Sequence, residues 1–235
     1  VIQEFSYICS AKKNVTANIS LLTFLPTTAG VLSHISGQYT EIQLPDGNFL
    51  PLSIANAPRA DGTLEFHIRH QSDLPATQIL LAQLTQYSQV LLRGPKGNST
   101  LLRAKPDNHC VFLAGGTGFA PMKALLETAL VTKPNIPLTL YWGIRRPEDA
   151  YDQATLLQWV QDFPHFRFEM VLSEPEHYPT WEGATGLVHE YCAAQQGDFA
   201  QTCVFASGPY EMVKAGYNLF TEQCLESTQF ISDMH

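Results

Sequence analysis

Positive charge is scarce in this chain: Lys and Arg together number 14 among 235 residues, against 22 Asp and Glu, for a net charge of −8. A protein that grips a phosphate backbone needs a basic face, so the balance argues against nucleic acid as a partner. Cysteine is sparse and scattered. Cys9, Cys110, Cys192, Cys203 and Cys224 are odd in number and none lies close to another in sequence. That spacing excludes a Cys-x-x-Cys zinc or iron–sulfur centre and implies free, mostly buried thiols in a reducing compartment. No metal site is expected, and any iron–sulfur partner is expected to be a separate protein. No apolar run approaches the length of a bilayer span. The opening Val1-Ile2-Gln3-Glu4 has no basic segment followed by a long apolar stretch, so no signal peptide is read there, and the missing Met suggests a trimmed start. A cytoplasmic monomer without membrane insertion is the expectation.

What is present falls into two halves. From Val1 to about Gly97, short alternating runs are broken by turn residues. Ala17 to Phe24, Gln38 to Leu44, Leu64 to Arg69 and Val90 to Arg93 read as half-buried strands. Pro45-Asp46-Gly47-Asn48 and Gly94-Pro95-Lys96-Gly97 read as turns closing two of them. One helix is expected over Ala76 to Leu84. Six or so short strands predict a small antiparallel six-stranded β-barrel. From Asn108 the pattern changes. Cys110 to Ala114 is continuously apolar, the mark of a strand buried on both faces. It ends in Gly115-Gly116-Thr117-Gly118 ahead of a helix from Pro121 to Leu130. Strands at Leu138 to Trp142, Phe166 to Leu172 and Cys203 to Ala206 alternate with helices at Asp152 to Gln161, Leu187 to Ala194 and Tyr210 to Cys224. Such alternation predicts a parallel sheet covered by helices on both faces. The fold class is therefore two-domain, barrel plus α/β, with boundaries at 1–104 and 105–235.

Gly115 to Gly118 is the strongest local signal. A strand that stops at glycines before a helix leaves backbone N–H groups free at the positive end of the helix dipole, a place for a pyrophosphate. No Lys-Ser/Thr follows, so it is not a nucleotide-hydrolase loop, and Pro121 stands in the last place of the usual dinucleotide glycine pattern. His67 and His70 are three apart on a strand, face opposite sides and cannot jointly hold a metal. No nucleophile elbow suggests a hydrolase.

Eight stretches fall in one order along nearly the whole chain: Gly37-Gln38-Tyr39, Pro51 to Ala55, Leu64 to Arg69, Leu113 to Pro121, Tyr141 to Arg145, Trp181 to Gly186, Gly208 to Met212, and Ser232-Asp233. In these the chain resembles the ferredoxin–NADP reductase family, most closely its soluble NAD(P)H:flavin reductases. The resemblance implies a flavin on the barrel side, NAD(P)H on the sheet side, and hydride transfer between them. It assigns Ser53, the catalytic candidate, to the flavin N5 edge, where a donor stabilises developing charge. Pro51 and Leu52 lie beside the flavin with the backbone of His67 and Ile68, and Thr117 lies between flavin and nicotinamide. Leu50 stands where the family carries an arginine for the flavin phosphate, and Leu52 where it carries an aromatic ring. These departures imply a flavin (riboflavin, FMN or FAD) held mainly by its ring and used as a dissociable substrate, with Arg69 or His70 as an alternative anchor. On the sheet side the resemblance assigns Gly115, Gly116, Thr117, Gly118, Pro121, Gly143, Arg145, Ser173, Gly208, Pro209, Glu211 and Met212 to NAD(P)H, with NADH and NADPH both open. Ser207 replaces the cysteine usual before Gly208. Where the family often places an aromatic ring over the flavin after Ser232-Asp233, His235 is the candidate cover, and a frayed tail with no cover is the alternative. A downstream acceptor of the reduced flavin is implied as partner. A reductase component with bound FAD serving an oxygenase or iron–sulfur protein is the alternative, and a non-enzymatic module with a decayed flavin site a further one.

Overall fold

The computed structural model describes residues 3–27, 30–70 and 74–233. The first half is a six-stranded antiparallel sheet built from β1 (Glu4–Asn14), β2 (Ile19–Pro26), β3 (Tyr39–Gln43), β4 (Phe49–Ser53), β5 (Leu64–Arg69) and β6 (Gln89–Lys96), in the order β4-β3-β6-β1-β2-β5. The two edges curl together. Past the end of β4, the Ala55 N–H donates to the Glu65 carbonyl (2.8 Å) and the Glu65 N–H donates to Asn56 Oδ1 (2.7 Å), which closes a barrel. Helix α1 (Pro75–Gln83) packs Leu80 and Leu81 into the barrel core. Its last carbonyls are capped by Lys12, whose Nζ lies 2.8 Å from the Leu81 oxygen and 3.2 Å from that of Leu84, a cation at the negative end of the helix.

Two sequence expectations change here. Gly94-Pro95 is not a turn: β6 runs on to Lys96 and pairs with Tyr39, with a register shift between Tyr39 and Glu41. The Thr40 hydroxyl donates to the Arg93 carbonyl (2.6 Å) beside it, so the extra residue is absorbed as a bulge. The long β1 was not anticipated at all.

The second half is a six-stranded parallel sheet: β7 (His109–Gly115), β8 (Leu138–Ile144), β9 (Phe166–Leu172), β10 (Ala184–Thr185), β11 (Thr202–Ser207) and β12 (Phe230–Ile231), in the order β10-β9-β8-β7-β11-β12. Helices α2 (Phe119–Thr132) and α3 (Gln153–Asp162) cover one face, and α4 (Val188–Gln196) and α5 (Tyr210–Glu222) the other. The continuous apolar run of β7 follows from this double cover. Cys110, Phe112 and Ala114 face the α2 side, while Val111 and Leu113 face the α4–α5 side. The chain leaves β7 toward β8 on one flank, while β11 lies on the other. The carboxyl ends of β7 and β11 therefore form a switch point, where open parallel sheets bind ligands. Helix α2 begins at Phe119, two residues before the expected start, and Pro121 still falls in the first turn where its missing N–H has no partner to lose.

Candidate active site

The glycine-rich turn after β7 is packed backbone to backbone against the turn after β11. A Cβ on Gly118 would stand 2.1 Å from the Ser207 carbonyl oxygen, so no other residue fits there without moving the main chain. Gly208 takes φ +150°, and a Cβ on it would lie 2.9 Å from Gly115 Cα. Trp142, fully buried on β8, fixes the turn from beneath by donating its Nε1–H to the Gly116 carbonyl at 2.9 Å.

Over this turn opens a cavity of about 440 Å³, within the range of small-molecule sites. It gathers Gly115, Gly116, Gly143, Arg145, Ser173, Pro209, Glu211 and Met212. Of the other residues expected there, Gly118 and Pro121 are buried behind the turn and Thr117 and Gly208 do not line the cavity. The wall missed in the sequence is the start of α4, where Gly186, Leu187, Val188 and His189 face the cavity. The sequence signal was the glycine, Gly186, just ahead of the helix, whose positive φ the structure shows.

The barrel meets this site through one strand. In β5, Leu64, Phe66 and Ile68 point into the barrel core, which turns Glu65, His67 and Arg69 outward toward the sheet. Each outward side chain has a different contact. Glu65 bonds Lys123 of α2 (3.1 Å) and Arg59 (2.8 Å), and Lys123 also bonds Glu127 (2.6 Å). Two cations and two carboxylates thus balance at the domain junction. His67 Nδ1 lies 2.8 Å from the Tyr151 hydroxyl. Arg69 reaches the glycine turn and lines the cavity: its NH1 lies 3.7 Å from where a Cβ on Gly116 would stand, and its buried Nε has no hydrogen-bond partner. No carboxylate pairs with it among the described residues.

Ser53 ends β4 half-buried, and its hydroxyl makes no hydrogen bond among the described residues. Glu65 spends its backbone groups on Ala55 and Asn56. By the alternation of the ladder, His67 and Arg69 turn theirs to the same open edge, away from β2. Ile68 sits inside the barrel, and its carbonyl and amide belong to the β2 side. Leu50 and Leu52 pack against the barrel core. The neighbouring cations are committed: Arg93 lies 2.9 Å from Glu4 and 3.7 Å over the Phe49 ring, and Lys96 is paired with Glu41 at 2.7 Å. His70 is hydrogen-bonded to Ser20 (3.1 Å). Asp233 returns to the barrel, accepting the Asn98 N–H at 2.8 Å, while His235 lies outside the described residues. No cluster of three metal-ligating side chains occurs among the described residues, and Cys9, Cys110, Cys192 and Cys203 are buried free thiols while Cys224 is exposed.

Burial, with the Lys123 charge second, pushes the His67 imidazole down to about 3. Burial likewise lowers His34, His109 and His189. The unfolded chain therefore binds protons that the folded chain rejects below about pH 6.5. Stability is full above that pH and falls as pH drops, with His67 alone contributing a slope of up to about 1.4 kcal/mol per pH unit. Urea midpoints measured from pH 7 to 5 should show this decline, and His67→Gln should flatten it. Identical slopes in the two proteins would contradict a buried neutral imidazole.

A family model described as an oxidoreductase FAD-binding domain matches residues 7–101, and one described as an oxidoreductase NAD-binding domain matches residues 112–217. The chain is 31% identical over 235 residues to the CDP-6-deoxy-L-threo-D-glycero-4-hexulose-3-dehydrase reductase of Yersinia pseudotuberculosis, covering 99% of this chain and 69% of that protein. It is 28% identical over 193 residues to the NAD(P)H-flavin reductase of Aliivibrio fischeri, covering 80% of each. The crystal structure of a cytochrome P450 reductase from Amycolatopsis superposes with a TM-score of 0.89 at 25% identity, over 98% of this chain and 69% of that one. The chain thus spans about two-thirds of the length of the first and third.

Proposed function

The chain belongs to the ferredoxin reductase family and is an NAD(P)H-dependent oxidoreductase, and from that premise we propose that it reduces a flavin held mainly by its ring and released after each turnover. When bound, the two cofactors supply the chemistry: a hydride leaves the nicotinamide C4 and arrives at the flavin N5. The chain supplies the rest. Ser53 offers its unpartnered hydroxyl to the N5 edge, and the open edge of β5 offers the His67 and Arg69 backbone groups to the ring. The glycine turn and the unpaired Arg69 guanidinium take the dinucleotide phosphates. Arg69 thereby moves from the flavin side, where the sequence suggested it, to the dinucleotide. The observation that supports this function is that Arg69 of β5 lines the same cavity as the glycine turn and reaches Gly116.

The flavin tail finds little to hold it. Leu50 is packed on the barrel core, Arg93 and Lys96 are already paired, and α1 opens with Pro75, whose ring removes one of the N–H groups a phosphate would use. Riboflavin, FMN and FAD should therefore be reduced with kcat/KM values within about threefold of one another, far less than one charge-assisted hydrogen bond would impose. NAD(P)H oxidation should rise in proportion to added riboflavin, and desalting should leave the protein colourless. Retention of one FAD per chain through desalting would sink this form of the function. It would favour a second one, in which the chain is the reductase portion of a longer electron-transfer protein. The extra length of the Yersinia and Amycolatopsis relatives supports that alternative.

A further inference from the structure

Tyr151 bridges the two segments that bear the cofactors in this proposal, β5 and the glycine turn, alongside the Arg69–Gly116 and His67–Phe119 contacts. Tyr151 lies in the connection between β8 and α3. Its hydroxyl is 2.8 Å from His67 Nδ1 on β5, and its ring stands edge-on to that of His67 with centroids 5.3 Å apart. On its other side the same ring stands edge-on to Trp142 at 5.2 Å and to Phe119 at 6.0 Å. Trp142 is stacked on Phe119 at 4.2 Å and donates to the Gly116 carbonyl. A continuous path thus runs from the flavin-side strand through Tyr151 and Trp142 to the dinucleotide turn. Close-packed rings of this kind transmit displacement rather than absorb it.

The geometry points to Tyr151 as a positioning residue that fixes β5 against the Gly116 turn, and so fixes the approach of the two cofactors during hydride transfer. The inference rests on the function proposed above. It is distinct from general support of the fold, because the hydroxyl adds direction to a contact that the ring alone would leave free to slide. Burial keeps His67 neutral and holds the Tyr151 phenol well above its ordinary value. The bond therefore joins an uncharged phenol to an uncharged imidazole. Glu65 and Lys123, the nearby charges acting on His67, are paired with each other across the same junction, and the His67–Tyr151 bond is an uncharged contact beside them.

Tyr151→Phe removes the hydroxyl and keeps the ring. The hydride-transfer step, read by stopped flow with a primary deuterium isotope effect, should slow by about tenfold, since a misplacement of an ångström can cost more than that. KM for the nicotinamide should move by less than about twofold, because ground-state contacts are untouched. His67→Leu should reproduce the loss, and the double variant should lose no more than either alone. Independently of turnover, amide hydrogen exchange in the ligand-free Tyr151→Phe chain should quicken at β5 and at residues 115–118 but not in β9. Unchanged exchange at those two segments would overturn the inference, as would an unchanged hydride rate in an active protein. A wild-type chain that oxidises no NAD(P)H with any flavin would overturn the hydride-transfer function and this inference with it.

Discussion

Arg69→Met is expected to lower kcat/KM for NAD(P)H by about a hundredfold, almost all of it through KM, because a charge-assisted contact to a phosphate is worth up to about 3 kcal/mol. The expectation follows from what surrounds the guanidinium. The neighbouring cations at this junction are paired: Arg59 and Lys123 share Glu65, and Lys123 also holds Glu127. Arg69 has none among the described residues, and its Nε is shut off from water without a partner. Such an arrangement costs free energy in the empty protein, and an anion arriving at the Gly115–Gly116 turn would relieve it. Met preserves the length and apolar packing of the stem, so the variant should fold normally. Arg69→Lys should recover part of the loss, since it restores charge without the planar fork. Titration of the oxidised protein with NAD(P)+ gives the dissociation constant directly. A hundredfold loss confined to the flavin KM would return Arg69 to the flavin tail, and no loss in either would leave the guanidinium without the role assigned to it.

The parts of this site that could be read in the sequence are those with a local cause. Strand β5 was bounded at Leu64 and Arg69 and β9 at Phe166 and Leu172 because their ends coincide with changes in the residue pattern. The run through Cys110 to Ala114 was legible because double burial leaves no polar alternation. Strand β1 was not legible. Only Tyr7 and Cys9 in it are buried, and its second half, Ala11 to Asn14, is exposed and carries two lysines. That half is a strand because β2 pairs with it, Lys12 opposite Leu22 and Lys13 opposite Leu21, not because of its own composition. The same distinction governs the site. Alternation alone puts Glu65, His67 and Arg69 on one side of β5, but nothing in the pattern says that this side faces the second domain. Tyr151 lies in the polar stretch Pro147 to Gln153, where no periodicity marks an aromatic as buried. Its partner, His67, is 84 residues away.

Ser53→Ala should slow turnover by ten- to a hundredfold, the cost of removing one donor aimed at developing charge, while changing flavin affinity by less than about threefold. Both halves of that expectation come from the position of the hydroxyl. It stands at the end of β4, half-buried, beside the open edge of β5, and makes no hydrogen bond among the described residues. With no partner to lose, the alanine variant should keep its stability within about 0.5 kcal/mol, so lost activity cannot be attributed to lost structure. The N5 edge gains electron density only as hydride arrives, so a hydrogen bond there strengthens toward the transition state and contributes little to holding the resting ring. Ser53→Thr keeps the hydroxyl but adds a methyl group at the site, and recovery there would separate loss of the donor from any change in backbone. A single-turnover rate for Ser53→Ala equal to that of the wild type, measured at saturating flavin, would remove Ser53 from the chemistry and leave the β5 backbone to orient the ring alone.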